Sequence, residues 1–163
     1  IFINLAESWN RQGNRSFYFL GSTSEVLEKI RKKMTERFPN IKIAGTYSPP
    51  YKAYSDSENS SVVEEINKLQ PTALWVGMTA PKQEKWIYSN IGKLDVPFIV
   101  GIGAVFDFFA GTKKRSPEWS IKIGVEWLPR LIREPKRMWK RTFVSFPVFM
   151  YYVAKQWVKQ KFY

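Results

Sequence analysis

The apolar residues of this chain fall into two kinds of pattern. Short unbroken runs, Phe17-Tyr18-Phe19-Leu20, Leu74-Trp75-Val76 and Phe98-Ile99-Val100, have the length of strands buried on both faces. Elsewhere apolar residues recur at intervals of three and four, as on one face of a helix. Phe2, Leu5, Ala6 and Trp9 form one such stripe, and Val26, Leu27, Ile30, Met34 and Phe38 a second. Val62, Val63, Ile66 and Leu69 predict a third, facing inward, and Trp86, Ile87 and Ile91 a fourth. Ile41-Lys42-Ile43-Ala44-Gly45 alternates as a strand.

Polar and breaking residues separate these elements. Gln12-Gly13-Asn14 stops the first helix, whose apolar residues are expected to be exposed if an upstream half is missing. Ser22 or Thr23 can cap the second, with Glu25 in its first turn. Thr46 to Tyr51, with two prolines, predicts a stiff loop. Residues 54–60 read as a polar, mobile stretch running into a helix from Glu58 to Leu69. Strands alternating with helices predict an α/β fold: a Rossmann-like, open, mainly parallel sheet with helices on both faces.

In such a sheet, ligands bind beyond the carboxyl ends of the strands. Two strands here run out into glycine-bearing elbows. After Gly77, Pro81 suits a first helical position, and Lys82 and Gln83 fall in the first turn. Backbone N–H groups and the positive end of the helix dipole can hold a phosphate there. Gly101 and Gly103 repeat the device, followed by Asp107, and Gly21-Ser22 is a weaker third case. A purely structural reading stays open for each: Gln83 and Glu84 capping a helix, Asp107 tying down a turn, Gly21 to Ser24 an ordinary strand-to-helix connection. The dinucleotide fingerprint Gly-X-Gly-X-X-Gly is absent, since Gly101-Ile102-Gly103 is followed by Phe106.

Beyond Gly111 the pattern changes, which divides the chain into residues 1–111 and 112–163. Ser116-Pro117-Glu118 opens a helix with Trp119, Ile123, Trp127 and Leu131 in one stripe. Glu134-Pro135 interrupts it. Lys136, Arg137, Lys140 and Arg141 follow, then an uncharged run, Thr142 to Ala154, that carries Phe143, Phe146 and Phe149. Lys155, Trp157, Lys159 and Lys161 close the chain.

Charge sharpens this division. The formal net charge is +12. Residues 1–111 hold 13 Lys and Arg against 11 Asp and Glu, whereas residues 112–163 hold 13 against 3. The second part is therefore a strongly basic helical appendage. Its uncharged run is shorter than the roughly 20 residues a membrane-spanning helix needs, and Pro147 interrupts it. Cations beside aromatics predict a segment lying in an anionic membrane interface, each cation contributing about 1 kcal/mol. Packing of the aromatics on the body is a rival reading. Nucleic-acid binding is another, but the aromatics are not interleaved with the cations, and no nucleic acid is expected as a partner.

The chain contains no Cys and no His. Disulfides, thiolate nucleophiles and catalytic histidines are excluded.

Three motifs, in order and with matching gaps, resemble the WecG/TagA/CpsF family of glycosyltransferases. They are the run from Gly77 to Trp86, the run from Gly101 to Gly111, and Gly124-Val-Glu-Trp-Leu-Pro-Arg-Leu with Glu134-Pro135-Lys-Arg. The likeness covers about Phe2 to Val153. It implies transfer of a hexose or N-acetylhexosamine, such as N-acetylmannosamine, from a UDP-sugar to an undecaprenyl-diphosphate-linked sugar. The setting would be cell-surface polysaccharide or teichoic acid synthesis, peripherally at the cytoplasmic face of the cell membrane. By position, Gly21, Ser22, Gly77, Lys82, Gln83, Gly101, Gly103 and Asp107 would contact the UDP-sugar. Arg130, Arg133 and Arg137 would hold the departing UDP and the lipid diphosphate, for which a planar guanidinium fork is suited. Lys136, Lys140, Arg141, Phe143, Phe146, Phe149 and Trp157 would meet the membrane.

The resemblance implies a metal-independent, inverting enzyme without cofactor, and no Asp-X-Asp pair occurs. The family's catalytic Asp lies in an N-terminal portion upstream of where this chain, which opens Ile1-Phe2-Ile3, begins. No position here matches that base, so a fragment that is inactive by itself is expected. A non-catalytic nucleotide-binding module is the alternative, and a homo-oligomer is compatible with either.

Overall fold

Four strands form one parallel sheet in the order β2-β1-β3-β4: β1 Arg15–Gly21, β2 Ile41–Tyr47, β3 Ala73–Gly77 and β4 Ile99–Gly101. Helix α1 (Phe2–Gln12) precedes β1, α2 (Ser24–Arg37) joins β1 to β2, and α3 (Asp56–Leu69) joins β2 to β3. Helix α4 (Lys82–Asn90) joins β3 to β4, and α5 (Val105–Ala110) follows β4. The computed structural model describes residues 1–50, 55–113, 122–123, 132 and 146–161. They belong to two units, Ile1–Lys114 and Arg115–Tyr163.

Successive strand side chains point to opposite faces, and here each face has its own helical layer. Phe17, Phe19, Ala73 and Trp75 pack with Phe2, Ala6, Leu27, Ile30, Met34, Phe106 and Ala110 of α1, α2 and α5. Tyr18, Leu20, Leu74 and Val76 pack with Val62, Val63, Ile66 and Trp86 of α3 and α4. Both faces of β1 and β3 are thus covered, which is why their sequences read as unbroken apolar runs. From β1 the chain steps outward to β2, then returns past β1 to β3. The direction reverses between β1 and β3, the kind of switch point beside which open α/β sheets bind their ligands.

The helices start where local chemistry lets them. The Thr23 hydroxyl accepts from the Val26 N–H at 3.4 Å and caps α2. Ser55 and Glu58 form a reciprocal capping box on α3: the Glu58 N–H donates to Ser55 Oγ at 3.2 Å, and the Ser55 N–H donates to Glu58 Oε2 at 2.9 Å. These bonds hold the Glu58 carboxyl below its ordinary range, chiefly through the Ser55 backbone N–H. Asn59, Trp86 and Asn90 tie α3 to α4: the Trp86 indole N–H donates to Asn59 Oδ1 at 2.8 Å, and Asn59 Nδ2 donates to Asn90 Oδ1 at 2.8 Å.

Several sequence expectations are corrected. Residues 56–60 are the first turn of α3, made helical by the capping box, not a mobile stretch. Thr46 and Tyr47 extend β2, because they pair with Phe19 and Leu20 of β1. Leu69 is exposed at the end of α3 instead of facing inward. Pro81 is the N-cap residue of α4 and not its first helical residue. Phe2 is buried, edge-on to Trp75 and Phe109, and Leu5 and Trp9 are half-buried. The α1 stripe therefore finds its cover within the sheet body.

In the second unit, α6 (Phe146–Lys161) is described, with Pro147 as its second residue. Its side chains from Phe146 to Val153 are exposed at consecutive positions. At about 100° per residue, the exposed apolar groups from Phe146 to Val153 run around the helix and are not confined to one stripe. Among the described residues no helix is long and apolar enough to cross a membrane. The helix opening at Ser116, its stripe residues Trp119, Trp127 and Leu131, and the Glu134-Pro135 break lie outside the described residues.

Candidate functional site

The carboxyl ends of β1, β3 and β4 bring four glycines and one glutamine together. Gly21 and Gly77 are register partners at the ends of β1 and β3, the two strands that flank the switch point. A Cβ added at Gly21 would lie 2.6 Å from the carbonyl carbon and oxygen of Gly77, and Gly21 has φ +118°, which disfavours a side chain independently. A Cβ on Gly77 would run into the Phe106 ring of α5. The two strands and α5 therefore close on each other only because both positions lack side chains.

Beyond Gly21 the chain turns through Ser22, with φ +62°, into α2. The Ser22 carbonyl accepts from the Ser48 hydroxyl at 2.8 Å, so the loop after β2 supports the loop after β1. Sequence reasoning did not single out Ser48. Its signal is position alone: it follows a strand paired in parallel with β1.

The next elbow turns on Gln83. It stands in the first turn of α4, yet only 9% of its surface is accessible. Its Oε1 accepts from the Gly103 N–H at 2.9 Å, and its Nε2 donates to Glu84 at 2.9 Å. A Cβ on Gly101 would lie 3.1 Å from its amide carbon. Gln83 thus reaches over the sheet edge and fastens α4 to the loop after β4. The Ile102 N–H continues the same closure by donating to Val76 O at 2.8 Å. Lys82 is exposed beside it, and its backbone N–H donates to Thr79 O at 2.8 Å.

Asp107 does not join this cluster through its side chain. Helix α5 packs on the sheet face opposite α4. The Asp107 carboxylate accepts from the Thr112 hydroxyl at 3.1 Å and from the Lys113 ammonium at 2.9 Å. Its link to the elbows runs through its neighbour Phe106, which lies against Gly77.

Arg130, Arg133, Lys136, Arg137, Lys140, Arg141 and Phe143 lie outside the described residues. Phe146, Phe149 and Trp157 are on α6, each more than half exposed. An open groove lined by Ile3, Lys33, Glu36, Arg37, Phe108 and Phe109 belongs to the layer of α1, α2 and α5, and contains no candidate ligand residue. Among the described residues, no three His, Cys, Asp or Glu side chains gather closely enough to hold a metal ion.

The arrangement suits a polyanion with an extended polar body. Backbone loops lie along three adjacent strand ends, their glycines let these loops, Phe106 and Gln83 pack closely, and exposed Lys82 stands beside them. Comparison with known proteins places the chain in a family. The model of the glycosyl transferase WecG/TagA/CpsF family matches residues 1–163. N-acetylglucosaminyldiphosphoundecaprenol N-acetyl-beta-D-mannosaminyltransferases of Staphylococcus aureus strains MW2, NCTC 8325 / PS 47 and COL are each 34% identical over 142 residues. The match covers 87% of this chain and 53% of each relative. The chain thus spans about half the length of the curated relatives it matches.

Proposed function

The chain belongs to the WecG/TagA/CpsF glycosyl transferase family, and on that premise we propose that it forms the donor-binding part of a sugar transferase. The enzyme moves a hexose or N-acetylhexosamine, for example N-acetylmannosamine, from a UDP-sugar to an undecaprenyl-diphosphate-linked sugar. The observation that carries this is the meeting of Gly21, Gly77, Gly101, Gly103 and Gln83 at the ends of neighbouring parallel strands.

Transfer needs a stabilised leaving diphosphate, an oriented sugar and a base for the acceptor hydroxyl. The loop Gly21-Ser22 and the first turn of α4, with Lys82, receive the diphosphate. Gln83 holds the Gly103 loop against which the sugar is oriented. Arg130, Arg133 and Arg137 stabilise the departing UDP, a role for which neither metal nor other cofactor is required. The acceptor hydroxyl gives its proton to a carboxylate base, for which the resemblance assigns no residue of this chain. The basic appendage, with its aromatics, rests peripherally on the anionic cytoplasmic face of the membrane, where the lipid-linked acceptor lies.

Thermal unfolding with UDP, UDP-sugars, NAD and ATP tests donor binding. A ligand at a hundred times its Kd stabilises by about 2.7 kcal/mol. A rise in Tm with UDP and UDP-sugars supports the reading, and a response to NAD alone overturns it. A longer protein that contains this chain is expected to catalyse the transfer. Inertness with every UDP-hexose and UDP-N-acetylhexosamine would refute the enzyme. Replacing Lys136, Arg137, Lys140 and Arg141 by Gln should weaken co-sedimentation with anionic vesicles. Unchanged binding would assign attachment to the aromatic run.

A further inference from the structure

The turn between β1 and α2 is held by a residue from outside it. Gly21, the register partner of Gly77, starts the turn, and Thr23 ends it as the N-cap of α2. Between them Ser22 has φ +62°, a conformation uncommon for a residue with a side chain. The Ser48 hydroxyl donates to the Ser22 carbonyl at 2.8 Å.

Ser48 stands on a braced strand end. It follows Tyr47, which pairs with Leu20 across β2 and β1. It precedes Pro49, and the residue before a proline is biased to extended backbone. Thr46, two positions earlier, fastens the end of β2 to α2 by accepting from Arg31 Nη2 at 3.3 Å. The bond from Ser48 then sets the direction of one peptide group. The Ser22–Thr23 peptide is trans and planar, so its C=O and N–H point opposite ways. With the carbonyl turned to the end of β2, the Thr23 N–H points away from β2, the side on which β3 and its elbow lie.

We propose that Ser48 is a positioning residue for the donor: its hydroxyl fixes the Ser22–Thr23 peptide so that the Thr23 N–H meets the diphosphate. The diphosphate part rests on the function proposed above, whereas the hold on the turn stands on the geometry alone.

The test measures the affinity of the full chain for UDP and for uridine, which lacks the diphosphate, in wild type, Ser48→Ala, Ser48→Val and Ser48→Thr. Val and Thr have nearly the same shape, so their difference isolates the hydroxyl. The Ala and Val variants should bind UDP about fivefold more weakly, the worth of one neutral hydrogen bond, and bind uridine as wild type does. The Thr variant should keep wild-type affinity for both. Without ligand, amide exchange at Val26 and Leu27, whose N–H groups donate to the Thr23 hydroxyl and carbonyl, should speed by a similar factor in Ala and Val. Wild-type UDP affinity in both Ala and Val overturns the positioning role, as does an equal loss for uridine, which a general loosening would produce. A wild-type chain that ignores UDP and UDP-sugars defeats the proposed function instead, and the exchange rates still decide the hold on the turn.

Discussion

Gly21 faces Gly77 across β1 and β3 so closely that a side chain at Gly21 would run into the Gly77 carbonyl. Gly21→Ala would put a methyl against the Gly77 carbonyl at a backbone angle that L residues avoid, and Gly77→Ala would drive one into the Phe106 ring. Overpacking and strain of this sort cost about 1–3 kcal/mol each. Urea unfolding should show both variants losing stability by that amount. Gly13→Ala is a useful contrast: its Cβ meets nothing within 4 Å, so backbone strain at φ +70° is its only cost.

Gln83→Ala leaves the Gly103 N–H without its acceptor at a half-buried position. An orphaned donor costs about 1–3 kcal/mol, and the loop after β4 should loosen. A lower Tm together with faster amide exchange at Gly103 is the expected outcome. Gln83→Glu retains the acceptor but sets a second carboxylate beside Glu84, so it should keep more of the Gly103 protection while weakening the response to UDP.

The capping box gives α3 a pH dependence of known sign. Bonds from Ser55 lower the folded-state pKa of Glu58, which is fully exposed. A depressed carboxyl contributes stability above its unfolded pKa and loses it as pH falls through the folded one. Wild type should therefore be more stable than Glu58→Gln at neutral pH. The gap should narrow on acidification below the ordinary glutamate range. A gap that widens in acid would contradict the box as the source of the shift.

These sites also show what a reader of the sequence can and cannot see. Phe17 to Leu20 and Leu74 to Val76 were legible as doubly buried strands, because a parallel sheet covered on both faces leaves no polar alternation. The start of α3 was legible in principle, since Ser55 and Glu58 stand at capping-box spacing, but their polar neighbours read as a loop. Thr46 and Tyr47 were obscured by the prolines after them, and only pairing with β1 shows them as strand. At the candidate site, the glycine elbows could be read locally, as strand ends followed by helix starts. The bond from Gly103 to Gln83 spans 20 positions and depends on which strands become neighbours, so no local pattern announces it. Asp107 is the opposite case. Its partners Thr112 and Lys113 are close in sequence, and a turn-tying role was readable there beside the ligand role.

The central claim is that a sugar donor's diphosphate sits beyond β1, β3 and β4. Amide hydrogen exchange on the chain with and without UDP tests it most directly. Saturating UDP should slow exchange at Gly21 to Ser24, at Lys82 and Gln83, and at Gly103 and Ala104, while the groove between α1, α2 and α5 is unaffected. Protection confined to that groove, or none anywhere at saturation, would contradict the account.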